Sequence, residues 1–285
     1  MGVADYVELT KPRLSMLVLA TTAVGFWLGM RHSLQAPVLL STLLGTALVV
    51  GGANALNQWM ERDADALMQR TKHRPLPAGR LDSERARRFG LTLVVGGLVL
   101  LTVAVNVLSA TLAVIAAISY LLVYTPLKRL TPLCTLAGAI PGALPPMIGW
   151  AAARHALGVE AWVLFALLFF WQLPHFLAIA LLYRDDYERA GFRMLPVIEP
   201  EGDAAARQMV LYGAALLPAS LFPTFVGLSG SRYFYGALLL SLAFLTLIVR
   251  SAMTRSRRTS WQLFQASVVY LPLVIALLGW DKAVG

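Results

Sequence analysis

Long apolar stretches recur along the whole chain and are separated by short polar segments. Nine of them are long enough to cross about 30 Å of hydrocarbon as helices. They fall at 14–30, 37–60, 88–106, 109–127, 133–153, 160–183, 206–228, 233–250 and 261–280. These stretches are continuous and rich in Leu, Ala and Gly, whereas the strands of a membrane barrel alternate apolar and polar residues over short segments. The pattern predicts an all-α bundle of nine transmembrane helices, forming one membrane-embedded domain over residues 1–285.

Composition and charge also place the chain in a membrane. Hydrophobic residues make up 58% of the 285 positions and charged residues 14%, and the mean hydropathy is +0.67, which excludes an ordinary water-soluble domain. A net charge of +9 can signal nucleic-acid binding, but these bases lie in short connectors between apolar stretches. We therefore expect the lipid bilayer, and no nucleic acid, as their partner.

The same bases predict the orientation of the chain. If the N-terminus lies in the cytoplasm, 20 of the 24 Lys and Arg residues fall on the cytoplasmic side, as the positive-inside rule requires. The exceptions are Arg31, Arg154, Arg232 and Lys282. The first residues match neither a cleavable signal peptide nor a transit peptide, so we expect a bacterial inner membrane, with the polar connectors of the site facing the cytoplasm.

The most polar part of the chain, residues 54–75, directly follows the second apolar stretch. If one helix continues through it, Asn57, Glu61 and Asp65 recur every four residues and form one stripe. Carboxylate and amide oxygens suit Mg²⁺, which completes its shell with water and phosphate oxygens. Asp63 points to another side of the helix and stays outside this ligand set. Four nearby bases would contact the phosphate, namely Arg62, Arg70, Lys72 and Arg74. The combination predicts chemistry on a lipid-borne diphosphate ester.

A second polar stretch, residues 171–191, follows the sixth apolar stretch. If helical spacing continues past Pro174, His175 and Asp186 lie three turns apart on one face, with Tyr183 between them. Both polar stretches follow even-numbered spans. A repeated four-helix unit would therefore place them opposite each other, across a central cavity open to the cytoplasmic side.

Several segments together resemble the UbiA superfamily of intramembrane prenyltransferases, and within it the branch of protohaem IX farnesyltransferases, or haem O synthases. The matching segments are 9–13, 57–61 with 65, 68–71, 74–80, 124–129, and 171–176 with 186–187 and 190–191. The Asn-x₃-acid-x₃-Asp pattern is typical of the superfamily, and Trp-Gln-x-Pro-His-Phe at 171–176 is typical of the haem branch. One departure concerns the second motif, where Tyr183 occupies the position of an expected Asp and leaves Asp185 and Asp186.

The resemblance implies an enzyme that transfers the farnesyl group of farnesyl diphosphate to a vinyl group of haem B. Water adds in the same reaction, giving haem O and diphosphate, and Mg²⁺ is the implied cofactor. The implied metal ligands are Asn57, Glu61, Asp65, Asp185 and Asp186. All of these except Asp185, together with Tyr183, form the implied catalytic set. The implied substrate contacts are Lys11, Arg62, Arg70, Lys72, Arg74, Tyr124, Lys128 and His175. A haem A synthase or a terminal oxidase is the suggested assembly partner.

Other interpretations of single residues stay open. An isolated acid at a helix end is usually a solvated loop residue, although an amide such as Asn57 within an apolar span is costly without a partner. His175 could bond a neighbouring helix or contact the haem, and His73 and His155 are further candidates for haem contact. Two glycine pairs, 51–52 and 96–97, are expected to allow close helix packing.

Two other functions also stay open. The first is prenyl transfer to another acceptor, such as an aromatic quinone precursor or another tetrapyrrole, which would share the acidic stripe. The second is a membrane transporter or channel, which would need polar groups at mid-depth in several spans.

Overall fold

The computed structural model describes residues 2–31 and 35–282, and within these ranges the chain forms helices and no strand. The helices are α1 Val3–Leu9, α2 Pro12–Gly29, α3 Ala36–Leu67, α4 Ser83–Ala104, α5 Val107–Ile118, α6 Thr125–Leu127, α7 Cys134–Ala143, α8 Pro145–Arg154, α9 Val159–Leu182, α10 Arg184–Arg189, α11 Leu195–Ile198, α12 Asp203–Phe225, α13 Ser231–Thr254 and α14 Arg257–Trp280. A π-helical turn, Ser119–Tyr124, joins α5 to α6.

Nine helical spans in the described ranges are long and apolar enough to cross a membrane, and each overlaps one predicted stretch. One span, Val107–Leu127, combines α5, the π-turn and α6, and another, Cys134–Arg154, combines α7 and α8. The predicted all-α bundle of nine transmembrane helices is therefore confirmed. Helix α3 runs as far as Leu67, so the predicted continuation of the second span into the polar stretch is also confirmed.

The predicted continuous helix through the second polar stretch is wrong. Helix α9 passes through Pro174 without a break but ends at Leu182, and Tyr183 has non-helical angles of φ −116° and ψ 27°. The chain turns there because Asp186, in α10, is held by backbone N–H groups of the connector that follows α3. These tertiary bonds outweigh the local helix preference. His175 and Asp186 consequently lie on different helices.

Glycines let α3 and α4 pack at very short range. A Cβ atom placed on Gly52 would lie 2.6 Å from the Gly90 carbonyl oxygen, and one on Gly97 would lie 2.7 Å from the Gly45 carbonyl oxygen. The expectation of close packing is confirmed for Gly52 and Gly97. It is wrong for Gly96, which is exposed and would place a Cβ with no heavy atom within 4 Å.

Two sets of contacts show which connectors share an end of the bundle. At one end, Arg80 of the connector after α3 pairs with Asp5 and Glu8 of α1, at 3.0 and 2.7 Å. At the other end, the Lys282 ammonium donates to the carbonyl oxygens of Trp27 and Met30, where α2 ends. We call the first of these the α1 end. The polar connector after α3 and the N-terminal helix therefore lie on the same side of the bundle.

Gly97→Ala should destabilise the bundle, because the new methyl group would overlap the Gly45 carbonyl and the Val49 side chain. We expect the free energy of unfolding to fall by about 1–3 kcal/mol, as overpacking usually costs, measured as a lower Tm in detergent. Gly96→Ala is the matched control. It should leave Tm unchanged or raise it, since alanine forms helix better than glycine. Equal Tm values for the two variants would contradict the close crossing.

Candidate active site

A cavity of about 460 Å³ lies between the helices, with walls from α2, α3, the π-turn, α7, α9 and neighbouring segments. Its lining has two parts. Charged side chains come from the α1 end and are Lys11, Glu61, Asp65, Arg70, Arg74 and Lys128. Mostly apolar and aromatic side chains line the rest, among them Leu17, Val49, Ile148, Leu168 and Trp171, with a few uncharged polar ones such as Thr46 and Gln172. Such a cavity suits a ligand with a charged head and a long apolar body.

The stripe on α3 faces this cavity. Asn57, Glu61 and Asp65 all line it, and their residues are 1%, 5% and 0% exposed. Asp63 lies on another face of the helix, and its side chain is 81% exposed. The four-residue spacing thus correctly predicted which side chains share a face and which acid stands apart.

Each carboxylate of the stripe holds a cation. The Lys128 ammonium donates to both oxygens of Glu61, at 2.7 and 3.0 Å, and the Arg74 guanidinium donates to Asp65 Oδ2 at 2.7 Å. Tyr124 is also close, with its ring centroid 4.4 Å from Lys128 Nζ. Burial by itself would lower the pKa of Lys128, but Tyr124 and Glu61 hold this pKa above its ordinary value. Lys128 therefore stays a cation beside the stripe.

Asp65 supplies an observation that fits a metal ion. Its Oδ1 atom is buried and has no hydrogen-bond partner in the part of the chain that the structure describes. An unpaired buried carboxylate oxygen is costly, and a cation would relieve that cost. Among the described residues no three His, Cys, Asp or Glu side chains form a ready metal cluster. A Mg²⁺ ion would therefore add the Asn57 amide, water and phosphate oxygens to its ligands, in keeping with its usual coordination.

Asn57 is oriented by two contacts. Its Nδ2 donates to the Thr125 hydroxyl at 3.1 Å, which leaves Oδ1 to accept from Lys11 Nζ at 3.2 Å. Thr125 is fixed in turn, since its hydroxyl donates to the Tyr120 carbonyl at 2.8 Å across the π-turn. Burial, together with the neighbouring Arg74 and other cations, lowers the pKa of Lys11 to about 7. Thr125 is not among the predicted site residues, although it lies in the 124–129 segment that resembles the family.

Asp186 lies outside the cavity and clamps the connector after α3. Its Oδ1 accepts from the backbone N–H of Gln69 at 3.1 Å, and its Oδ2 accepts from that of Arg70 at 3.2 Å. Arg189 pairs with the same carboxylate. The second polar stretch was expected opposite the first across the cavity. For Asp186 this expectation is wrong, because its carboxylate touches the first stretch directly.

Three more of the predicted residues are not brought to the cavity. Asp185 and Lys72 are exposed. Arg62 projects from a different face of α3 from the stripe, where its guanidinium lies 5.9 Å from the Trp59 ring centroid and 3.7 Å from Asp63. The five-residue step from Asn57 carries Arg62 away from the stripe, about 140° around an ideal helix.

Tyr183 does not line the cavity, but it contacts Arg70, which does. The Arg70 guanidinium lies 4.7 Å from the Tyr183 ring centroid, and its Nη2 donates to the Tyr187 hydroxyl at 3.3 Å. Arg70 and Tyr187 line the cavity, whereas Tyr183 does not. The aromatic faces hold the guanidinium by cation–π attraction, so the two tyrosines position a cation at the charged part of the cavity.

His175 is the one histidine of the described ranges that lines the cavity. Its ring stacks on Trp171 and on Phe264, with ring centroids 5.2 and 5.3 Å apart. His73 and His155 are exposed and do not line it. The prediction of His175 as a possible haem contact thus agrees with its place in the cavity lining, whereas His73 and His155 lie outside it.

The charged part of the cavity attracts anions. Four basic and two acidic side chains line it, so positive charge exceeds negative charge even when Lys11 is neutral. Low-dielectric walls strengthen this attraction. A diphosphate could therefore bind here with its hydrocarbon chain directed into the apolar part.

Fold and site together define a polytopic membrane protein of the prenyltransferase class. The chain belongs to the UbiA prenyltransferase family, whose family model matches residues 18–272. Among individual relatives, it is 48% identical over 287 residues to the protoheme IX farnesyltransferase of Solibacter usitatus, with 98% of each chain covered. It is 44% identical to the protein of the same name from Koribacter versatilis, covering 98% of this chain and 94% of the relative.

Solved structures share the fold at low sequence identity. A structure from work on digeranylgeranylglyceryl phosphate synthase in membranes superposes with a TM-score of 0.82 at 16% identity, covering 98% of both chains. A UbiA homologue from Archaeoglobus fulgidus, bound to GPP and Mg²⁺, superposes with a TM-score of 0.72 at 17% identity, covering 96% of this chain and 99% of that one. These structures show the fold, while the family expected from the sequence motifs is confirmed by the family model and the relatives of 44–48% identity.

Asp186→Ala should lower stability even when metal and substrate are absent, because the backbone N–H groups of Gln69 and Arg70 lose their acceptor. We expect a loss of about 1–3 kcal/mol in the free energy of unfolding, measured as Tm in detergent with EDTA. Asp185→Ala removes an exposed carboxylate and should leave Tm unchanged. If both variants melt like the wild type under these conditions, Asp186 does not clamp the connector.

Proposed function

We propose that the protein is a Mg²⁺-dependent haem farnesyltransferase. It would transfer the farnesyl group of farnesyl diphosphate to a vinyl group of haem B, with addition of water, to give haem O and diphosphate. The observation that carries this proposal is the buried stripe at the charged part of a cavity whose remaining lining is mostly apolar. The names of relatives that match nearly the whole chain support haem as the acceptor.

The diphosphate would bind among the cations of the cavity. Arg70 and Arg74 offer planar guanidinium groups that can hold two phosphate oxygens at once, and Lys128 offers a point charge. Asn57 and Asp65, with Glu61, would hold Mg²⁺, which when bound neutralises diphosphate charge and stabilises the leaving group. The chain thus gathers positive charge at the place where negative charge grows as the bond to carbon breaks.

The apolar part of the cavity would hold the prenyl chain and keep water from it. The carbon–oxygen bond breaks with its electron pair leaving on the diphosphate, and the allylic cation that forms lies near aromatic rings such as Tyr124 and Phe176, which line the cavity. The vinyl group attacks this cation and forms the new carbon–carbon bond. Water then adds to the haem-side cation and loses a proton, which completes the hydroxyethylfarnesyl group.

The alternatives fit less well. Charged groups at mid-depth in several spans would favour a transporter, whereas the charged side chains of this cavity come from the α1 end and the polar residues deeper in its lining, such as Thr21, Thr46 and Gln172, are uncharged. Prenyl transfer to another acceptor would use the same stripe. The 41–48% identity to proteins named protoheme IX farnesyltransferase favours haem over that alternative. The suggested assembly partners, a haem A synthase or a terminal oxidase, stay a prediction.

Asp65→Asn should reduce haem O formation by about 100-fold or more, because one proposed ligand of the Mg²⁺ that stabilises the departing diphosphate loses its charge. The measurement is mass detection of haem O after incubating the purified protein with haem B, farnesyl diphosphate and Mg²⁺. Asp63→Asn, an exposed acid on the same helix, is the matched control and should keep full activity. EDTA should abolish the reaction.

Two results would overturn these assignments. Activity that survives both EDTA and Asp65→Asn would remove the metal site. Prenylation of 4-hydroxybenzoate by a protein that leaves haem B unchanged would replace the acceptor.

The proposed orientation places the α1 end in the cytoplasm of a bacterium, at the inner membrane. Lys72→Cys and Ala156→Cys, both at exposed positions of connectors at opposite ends, should report it by labelling with a membrane-impermeant maleimide. Intact spheroplasts should label only the cysteine at position 156, and lysed cells should label both. Cys134 is buried, so background labelling should be low. The reverse pattern would invert the topology.

A further inference from the structure

His175 is held in one orientation by α9 and α14. Its ring lies nearly parallel to Trp171, at 18°, and to Phe264, at 25°. Trp171 is tied to α14 as well, since its Nε1 donates to the Ser267 carbonyl oxygen at 2.9 Å. Stacking and this hydrogen bond leave the imidazole little freedom to rotate.

Ser267 decides which ring nitrogen of His175 carries the proton. The Ser267 Oγ atom lies 2.7 Å from His175 Nδ1 and 2.6 Å from the Phe264 carbonyl oxygen. A carbonyl oxygen can only accept, and the hydroxyl has a single proton to donate. If both short contacts are hydrogen bonds, the hydroxyl donates to Phe264 and accepts from His175 Nδ1–H. A neutral imidazole protonated at Nδ1 has its lone pair on Nε2.

The lone pair of His175 Nε2 is available to a ligand. This atom has no hydrogen-bond partner among the described residues, and it is not one of the fully buried unpartnered atoms. The side chain lines the cavity. Of the neighbours in α9 and α14 that also line the cavity, Phe176, Ile179 and Leu271 carry no polar side-chain atom. The polar atoms of two others are directed elsewhere, since Trp171 Nε1 donates to the Ser267 carbonyl and Gln172 Nε2 donates to the carbonyls of Leu168 and Ala139.

We propose that Ser267 is a positioning residue that presents the unprotonated His175 Nε2 to the cavity as the axial ligand for the iron of the haem acceptor. The proposal rests on haem being the substrate. Metal-binding histidines usually donate their second ring N–H to an oxygen acceptor, which fixes the tautomer and raises the basicity of the ligating nitrogen. The bond forms by donation of the Nε2 electron pair to iron, and no proton moves.

Coordination through iron would also suit the chemistry. The iron sits at the centre of the macrocycle, whereas the reacting vinyl groups lie at its edge. A ligand at the centre can therefore anchor the acceptor without covering the carbon that attacks the prenyl cation. Orientation of this kind lowers the entropy cost of bringing two substrates together.

Ferric haem B titrated into the purified full-length protein, without farnesyl diphosphate or Mg²⁺, tests the proposal by Soret absorption and electron paramagnetic resonance. The wild type should show a nitrogen-ligated iron and should prefer haem to metal-free protoporphyrin IX. His175→Gly should lose both properties and regain the ligated spectrum with added imidazole. Ser267→Ala should weaken haem binding about 10- to 100-fold, as loss of a partner of a ligating histidine does, and Ser267→Thr should restore it.

Ser241→Ala is the matched control, since it removes another buried serine hydroxyl, one that bonds Tyr270 away from the cavity. It should leave the spectrum and the affinity unchanged. Binding of metal-free protoporphyrin IX shows that each variant is folded. A wild-type spectrum and affinity in His175→Gly, or unchanged affinity in Ser267→Ala, would overturn the proposal while haem farnesylation stands. A wild type that prenylates another acceptor and neither binds nor farnesylates haem would remove the proposed function itself.

Discussion

The burial of four charges at the α1 end of a membrane bundle is the constraint on which the rest of the structure depends. The Glu61 and Lys128 side chains are 7% and 11% exposed, and those of Asp65 and Arg74 are 1% and 25% exposed. Charges withdrawn from water are tolerated only when they are paired and hydrogen-bonded, and loss of one partner typically costs about 3–5 kcal/mol. Helix α3 therefore needs both the segment after α6 and its own following connector to close over it.

Such ion pairs add little net stability. Apolar side chains of similar volume would usually serve a bundle as well or better, because the desolvation of both charges offsets their attraction. Their presence beside a cavity of mostly apolar lining is thus an argument for a role in catalysis. The unpartnered Oδ1 of Asp65 points the same way, since the ion pair with Arg74 leaves one buried oxygen without a donor. If these residues served stability alone, the buried Asp65 Oδ1 atom would be expected to have a hydrogen-bond donor.

The sequence predicted the parts of the structure that depend on local periodicity. The nine spans follow from apolar length, and the shared face of Asn57, Glu61 and Asp65 follows from helical spacing. What it did not predict depends on contacts between distant segments. Thr125 reaches Asn57 across 68 residues, and Ser267 reaches His175 across 92. No local pattern marks such partners.

The break at Tyr183 was missed for the same reason. The bonds that draw Asp186 away from a continuing α9 come from backbone N–H groups more than a hundred positions earlier. Local propensity favours continuation there, and only the folded bundle supplies the competing partner. The motif departure at Tyr183 marked the position as unusual, but it gave no indication that the helix ends.

The cavity has a charged part and a mostly apolar part, and an ionisation reaction needs both. A departing diphosphate is stabilised by charge, whereas an allylic cation survives only where water is kept away. The π-turn lies where the two regions meet. It leads from Tyr120 to Tyr124, whose ring is 4.4 Å from Lys128 Nζ, and the next residue, Thr125, fixes Asn57. Because a π-turn rotates the following side chains relative to an α-helix, this one irregularity can set an aromatic face beside the prenyl chain and a hydroxyl beside the stripe.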